Sequence, residues 1–292
     1  MEPMIFRTLG RTDVRIPAIG QGTWKFGERK EKEREEIEAI RFGIENGLTL
    51  IDTAESYADG GAEKVVGQAI RGVRDDVFLV TKVSASNGSY DGVLRAAEAS
   101  LARLRTDRID LYLQHWPSEK FDVAETMEAM AELVRRGYVR FVGVSNFDVD
   151  LLEKARAALD GVPLTCNQVA YHLKDRHIER SILPYCMENG ITVMGYSPFG
   201  YAPQFFGKPG FPETGSAERA VLDEIGRKYG KTAHQVALNW VLRQEYVVSI
   251  PKAARLEHIT DNLGALGWAL DENDAARIDD VFPATGKPRA DY

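Results

Sequence analysis

The chain has 292 residues, 44% of them hydrophobic and 28% charged, the balance of an ordinary globular protein. Its formal net charge of −7 argues against nucleic acid or an anionic membrane surface as principal partner, and leaves room for an anionic cofactor only in a local basic pocket. No apolar run is long enough to span a bilayer, and MEPMIFRTLGR turns polar too soon for a signal peptide.

The N-terminal segment predicts a short hairpin, Ile5–Leu9 and Val14–Ile16, about the turn Gly10-Arg11-Thr12-Asp13. A parallel strand is expected at 18–22, and β-branched apolar runs predict others at 48–52, 77–83, 109–114, 139–144, 164–169, 191–196 and 247–250. Helical periodicity fills the intervals at 32–46, 62–71, 89–104, 122–136, 148–159, 178–189, 217–244 in two pieces, and 255–266. Ala97, Leu101 and Leu104 share one face of the third helix. Gly47, Gly137 and Gly190 stand where a left-handed residue ends a helix, and Asp122 and Asp148 where an N-cap begins one. The alternating charges of 28–36 read as a solvated helix start.

Eight strand–helix units in one chain of this length predict a single (β/α)8 TIM barrel over 1–292. An open doubly wound sheet is the competitor. It wants a GxGxxG fingerprint opening a helix, whereas Gly20-Gln21-Gly22-Thr23-Trp24-Lys25 has only a GxG. The one long loop, 197–216, carries Tyr201, Phe205, Phe206 and Phe211 and follows the seventh strand, on the face where such barrels do chemistry.

Three successive strand ends supply an unusual set of side chains. Asp52 ends the second, with Tyr57 five residues on; Lys82 ends the third and His115 the fourth. Adjacent strands lie about 4.8 Å apart, so these groups can converge over the barrel mouth. A phenol near pKa 10 is a weak acid, and a neighbouring ammonium is expected to draw it down toward 7. Lys82 fits that role, Asp52 would keep Lys82 charged, and His115 would orient a substrate oxygen or share in a proton relay. The set amounts to a proton donor aimed at a carbonyl becoming an alkoxide. No Ser–His or Cys–His pairing and no HExxH, HxH or Cys/His ligand spacing is present, so no metal is expected and a nicotinamide hydride is the fitting nucleophile.

The back half supports this. The loops after strands seven and eight, Tyr196-Ser197-Pro198-Phe199-Gly200 and Ile250-Pro251-Lys252-Ala253-Ala254-Arg255, occupy the usual phosphate-binding region of the barrel. The second runs into a helix N-terminus, with Lys252 and Arg255 as local positive charge. Tyr196 offers a ring face, and Ser145, Asn146 and Gln168 offer partners for a carboxamide. Cys166 and Cys186 lack CxxC spacing and read as buried thiols in a reducing cytoplasm.

LIDTAESY, VTKV, LYLQHWP, VGVSNF, NQVAYH, GYSPFG and IPKA occur in one order from Gly20 to Lys252, and in this the chain resembles the aldo-keto reductase superfamily. The resemblance implies a (β/α)8 barrel closed at its bottom by the N-terminal β-hairpin, binding extended NAD(P)H and reducing a small-molecule aldehyde or ketone, with Tyr57 as general acid and Asp52, Lys82 and His115 completing a tetrad. It implies cofactor contacts from Gly22, Thr23, Trp24, Asp52, the loop Tyr196, Ser197, Pro198 and Gly200, and the loop Ile250, Pro251, Lys252, Ala253 and Arg255. Ser145, Asn146 and Gln168 would hold the carboxamide, Tyr196 would stack on the ring, and Trp24 and Trp116 would line the substrate pocket beside Tyr57 and His115. Asp261 and Asn262 resemble the pair that contacts adenine. NADPH-preferring relatives carry a serine at the position of Ala253 and an arginine at that of His258, so NADPH is expected with NADH possible. The resemblance favours a monomer. A competing function is a cofactor-binding regulatory protein resembling potassium-channel β subunits. The aromatics Trp24, Trp116 and 201–211 suggest aromatic or medium apolar carbonyls as substrates.

Overall fold

The computed structural model describes residues 4–200 and 210–284. Eight parallel strands follow one another in chain order around the sheet. They are β3 (Gln21–Gly22), β4 (Leu50–Asp52), β5 (Phe78–Val83), β6 (Ile109–Gln114), β7 (Val139–Ser145), β8 (Leu164–Ala170), β9 (Thr192–Tyr196) and β10 (Val247–Ser249). The seam between first and last is closed by single bridges, Ile19 to Ser249 and Gly22 to Lys252. Along it Ser249 N donates to Ala18 O, Gly20 N to Ser249 O, and Gly22 N to Pro251 O. The next donor in that register belongs to Pro251, which has no N–H, and so the ladder is broken there rather than continuous. This is why the first strand is shorter than the expected 18–22. Gly22 faces the seam so closely that a β-carbon on it would stand 2.7 Å from Ile250 O.

Helices α1 (Glu33–Glu45), α2 (Gly61–Ala69), α3 (Tyr90–Leu104), α4 (Val123–Arg135), α5 (Val149–Ala158), α6 (Ile182–Asn189), α7 (Ala217–Tyr229), α8 (Ala233–Leu242) and α9 (Leu256–Leu263) lie between or after the strands. On α3 the buried set Val93, Ala96, Ala97, Ser100, Leu101 and Leu104 follows the three-four spacing of a helix face. Asp122 and Asp148 cap α4 and α5 through the Ala124 and Leu151 N–H groups, each worth about 1 kcal/mol. Gly47, Gly137 and Gly190 all take positive φ, as their positions after helices require.

The hairpin, β1 (Phe6–Thr8) and β2 (Arg15–Pro17), pairs antiparallel beneath the barrel. Gly10 N donates to Thr192 Oγ1 at the start of β9, and Leu9 and Ile16 pack with the inward layer of Leu50, Val80, Leu111, Leu113 and Met194. The bottom is thus plugged and the mouth left to the C-terminal ends of the strands.

The tenth helix among the described residues, α10 (Glu272–Val281), buries only Asp274 and Ile278 of its own residues. Polar contacts hold it: Asp279 Oδ1 accepts from Arg176, Trp240 and Arg243, and Asp274 pairs with Lys228. Among the described residues no helix is long and apolar enough to cross a membrane.

Candidate active site

Asp52 is the last residue of β4, Lys82 the penultimate residue of β5, and His115 follows β6 directly. Lys82 and Asp52 are almost fully buried. The Lys82 ammonium lies 2.8 Å from Asp52 Oδ1 and 2.9 Å from Oδ2, and donates to Thr53 O at 2.7 Å. It also donates to the Tyr57 hydroxyl oxygen at 3.3 Å and sits 4.8 Å from that ring's centroid. Thr53 O is a partner that side-chain motifs cannot announce, because any residue there offers the same carbonyl.

Burial pushes the Asp52 carboxyl up while Lys82 and the Gln168 amide pull it back; with donors on both oxygens the pair is held as carboxylate and ammonium. Burial pushes Lys82 down, but Asp52 and Tyr57 outweigh it and leave the ammonium above its usual range. For Tyr57 the expected downward movement is not what results. Burial raises the phenol above 10, and the Lys82 charge offsets that only in part because Asp52 opposes it. A neighbouring ammonium can be inferred from the sequence, whereas the desolvation that outweighs it comes from the packing around the ring. Tyr57 is therefore a neutral donor across physiological pH.

His115 lies edge-on to Tyr57, ring centroids 5.5 Å apart, and is stacked with Trp116 at 6.3 Å. Its Nδ1 is 3.3 Å from Ser56 Oγ. Burial, reinforced by Lys82, lowers its pKa to about 3, so the imidazole stays neutral and cannot serve as the acid of a relay near neutrality. Ser56 lies within the TAESY segment but has no charge or ring to single it out.

The other side of the mouth is amide-rich. Ser145, last in β7, donates from Oγ to Gln168 O at 2.8 Å; Asn146 Nδ2 donates to Ser145 Oγ at 3.0 Å and to His115 O at 3.2 Å. Tyr196 at the end of β9 donates its hydroxyl to Asn146 Oδ1 at 2.9 Å. Gln168 Nε2 donates to Asp52 Oδ1 at 2.7 Å and approaches Met194 Sδ at 3.1 Å. Asn146 and Ser197 take left-handed backbone, φ 64° and 53°, as do Lys25, Ala58 and Asp59 in other loops at this face. Strain of this kind collects where a loop must aim a group at a ligand. Ser197 and Gly200 close a turn by Gly200 N to Ser197 O, with Pro198 buried.

Thr23 binds the end of β4, with both its N–H and its hydroxyl donating to Asp52 O. Trp24 lies beneath the Lys25 ammonium, 4.8 Å from the ring. Ile250 and Pro251 are buried, Lys252 is exposed with its ammonium 5.4 Å from the Phe26 ring, and Ala253 is half-buried. Arg255 is the N-cap of α9, whose first turn receives no side-chain cap, and both Arg255 and His258 lean on Glu257 at 3.4 and 3.9 Å. Asp261 accepts from Thr232 Oγ1, and Asn262 is buried. This donor set, a planar amide cradle beside a phenol ring and a basic rim at a helix N-terminus, fits a dinucleotide with a carboxamide at one end and phosphates at the other.

Of the aromatic loop, Tyr201, Phe205 and Phe206 lie outside the described residues. Phe211 is committed to packing, stacked on His234 at 4.1 Å and edge-on to Phe199 at 6.0 Å.

Residues 18–282 match the model of the aldo/keto reductase family. The chain is 44% identical over 272 residues to the methylglyoxal reductase YeaE of Escherichia coli, covering 93% of each. It is 34% identical to the glyoxal reductase of Bacillus subtilis, over 91% of this chain and 89% of that one. An aldo-keto reductase from Klebsiella pneumoniae, crystallised with NADPH, superposes with a TM-score of 0.87 at 40% identity over 98% of each chain. Strand order, mouth chemistry and these similarities agree: the chain belongs to the aldo/keto reductase family.

Proposed function

We propose that the protein reduces small aldehydes and ketones with NADPH, that 2-oxoaldehydes of the methylglyoxal kind are its foremost substrates, and that Tyr57 gives the proton. NADPH, when bound, supplies the hydride to the carbonyl carbon. The observation that carries the reading is the buried Lys82 ammonium, which bridges Asp52 and the Tyr57 hydroxyl. As negative charge grows on the carbonyl oxygen, Tyr57 gives up its proton there, and the phenolate left behind is stabilised by Lys82 at 3.3 Å. Asp52 keeps Lys82 charged and in place. His115, neutral, donates a hydrogen bond that orients the substrate oxygen. Ser145, Asn146 and Gln168 hold the carboxamide and Tyr196 carries the ring, while Lys252 and Arg255 meet the phosphates at the head of α9 and Asp261 and Asn262 face the adenine. Trp24 and Trp116 line the substrate side. The substrate class is supported by relatives named methylglyoxal and glyoxal reductases. A cytoplasmic setting suits Cys166 and Cys186, both buried and unpaired. A monomer is part of the same reading, and size-exclusion chromatography tests it.

The test is loss of reduced-nicotinamide absorbance with methylglyoxal, an aromatic aldehyde and a ketone, each with NADPH and with NADH. Turnover fastest with methylglyoxal and NADPH supports the proposal. Preference for the aromatic aldehyde overturns the substrate class, and tight cofactor binding without any turnover overturns the reaction in favour of a regulatory role.

A further inference from the structure

Tyr57 sits at the head of a turn that the chain adopts reluctantly. Ala58, Asp59 and Gly60 all take left-handed backbone, with φ of 51°, 50° and 79°, before α2 begins at Gly61. Two of the three carry side chains, so something outside the turn must hold it. What lies against it is the Arg103 side chain from α3. A β-carbon on Gly60 would collide with Arg103 Cδ and Nε, so the Gly60 backbone rests on the guanidinium stem.

Arg103 in turn is fixed by Glu63, with Nε 2.5 Å from Glu63 Oε2, and by Nη2 to Ser100 Oγ at 3.1 Å. The second oxygen of Glu63 accepts from Thr81 Oγ1 at 2.6 Å. Glu63, Ser100 and Thr81 are fully buried. Thr81 precedes Lys82 in β5, and successive strand residues face opposite ways, so a bond on the Thr81 side chain sets the roll of the strand that aims Lys82 into the mouth. One pair, with Glu63 buried and Arg103 half-buried, thus touches both the turn bearing the phenol and the strand bearing the ammonium. A buried ion pair is a poor source of net stability, since an apolar replacement of similar volume is often neutral or better. Its placement makes better sense as a device for geometry.

We propose that the Glu63–Arg103 pair, acting through Thr81 and the Gly60 backbone, positions the Tyr57 hydroxyl against Lys82 Nζ. These are positioning residues, and the inference rests on the reading of Tyr57 as the proton donor. Misplacement of a reacting group by about 1 Å can cost on the order of a hundredfold in rate.

The experiment compares Thr81→Val, which deletes the hydroxyl at nearly constant volume, with Thr81→Ser, which keeps it, and with Glu63→Gln. For methylglyoxal reduction with NADPH, Thr81→Val is expected to lower kcat about tenfold, with KM and the NADPH dissociation constant within about twofold of wild type. The solvent deuterium isotope effect on kcat should rise, because proton delivery becomes slower relative to other steps. Thr81→Ser should stay close to wild type in both. An isotope effect unchanged in Thr81→Val, whether or not its melting temperature falls, overturns the inference and leaves the pair a structural strut. Should Glu63→Gln fail to fold, the two Thr81 variants decide alone. A wild-type protein with no turnover overturns the assigned reaction itself, which separates that failure from this one.

Discussion

Gln168 Nε2 lies 2.7 Å from Asp52 Oδ1, a hydrogen bond that reaches across the barrel from β8 to β4. An ionised carboxylate only accepts, so the amide nitrogen must face Asp52 and the amide oxygen must face away. The carboxylate that keeps Lys82 charged therefore also sets which end of Gln168 is free, and under the proposed function that end offers an acceptor to a carboxamide N–H.

Gln168→Leu removes that acceptor and leaves Asp52 to Lys82 alone. NADPH binding is expected to weaken roughly tenfold, the size of one good hydrogen bond, with a fall in kcat as the nicotinamide loses its orientation. Titration of protein fluorescence with NADPH reads the affinity. An unchanged dissociation constant would remove Gln168 from the cofactor site.

Lys82→Met leaves the buried Asp52 carboxylate with the Gln168 amide but without its counter-charge. The expected cost is about 3–5 kcal/mol of stability, and pairing the change with Asp52→Asn should recover most of it without restoring turnover. Urea unfolding of the two single variants and the double variant checks this. A double variant no more stable than Lys82→Met would mean that the two charges do not depend on each other.

Tyr57→Phe keeps the ring beside His115 and deletes only the hydroxyl. Carbonyl reduction should fall by about 10²–10⁴-fold, with melting temperature and NADPH affinity close to wild type. Near-normal turnover would transfer the proton to another donor.

How much of this was legible in the sequence follows from which physics each residue reports. Asp52, Lys82 and His115 were visible as polar residues at the ends of apolar strand runs, and Tyr57 as a phenol five residues beyond one of them, since strand ends and the loops after them are where the fold places chemistry. Gly20, Gly22 and Pro251 are visible as letters, but the interrupted closing seam they produce depends on which strand meets which. Helix α10 buries only Asp274 and Ile278 of its own residues, and Asp271, Asp274 and Asp279 secure it by capping and ion pairs, which an apolar pattern does not report. The direction of the Tyr57 pKa is not legible in the sequence, because desolvation is set by tertiary packing whereas an adjacent charge can be inferred from a motif. Thr53 O, a backbone carbonyl, has no sequence signature at all.

His115 gives a pH prediction. Its folded-state pKa is depressed from 6.5 to about 3 by burial and by Lys82. Between those values the unfolded chain binds a proton that the native protein does not, so stability rises with pH through that window and is fully present above 6.5. From pH 6.5 down to pH 5 this residue should cost at most about 2 kcal/mol. Unfolding of wild type and His115→Gln at both ends of that interval isolates the term, since the variant should lose the slope. Equal slopes would show that His115 is protonated in the native state, and with it an imidazolium in the active site.

Under the proposed function Lys252, Ala253, Arg255 and His258 meet the adenosine phosphates, and Ala253 and His258 stand where the family resemblance leads one to expect a serine and an arginine. Arg255 and His258 are exposed and both lean on Glu257, and Lys252 rests its ammonium over Phe26. A guanidinium at 258 would bring a permanent fork of donors to a phosphate, whereas the imidazole brings two ring nitrogens at most and no fork. His258→Arg is therefore expected to tighten NADPH by about tenfold and to leave NADH unchanged, because only the former has a 2′-phosphate to meet. Dissociation constants for the two cofactors, measured side by side at fixed ionic strength, make the comparison. Equal tightening of both would place residue 258 against the shared pyrophosphate or the adenine, and the selectivity of the site would then rest on Lys252.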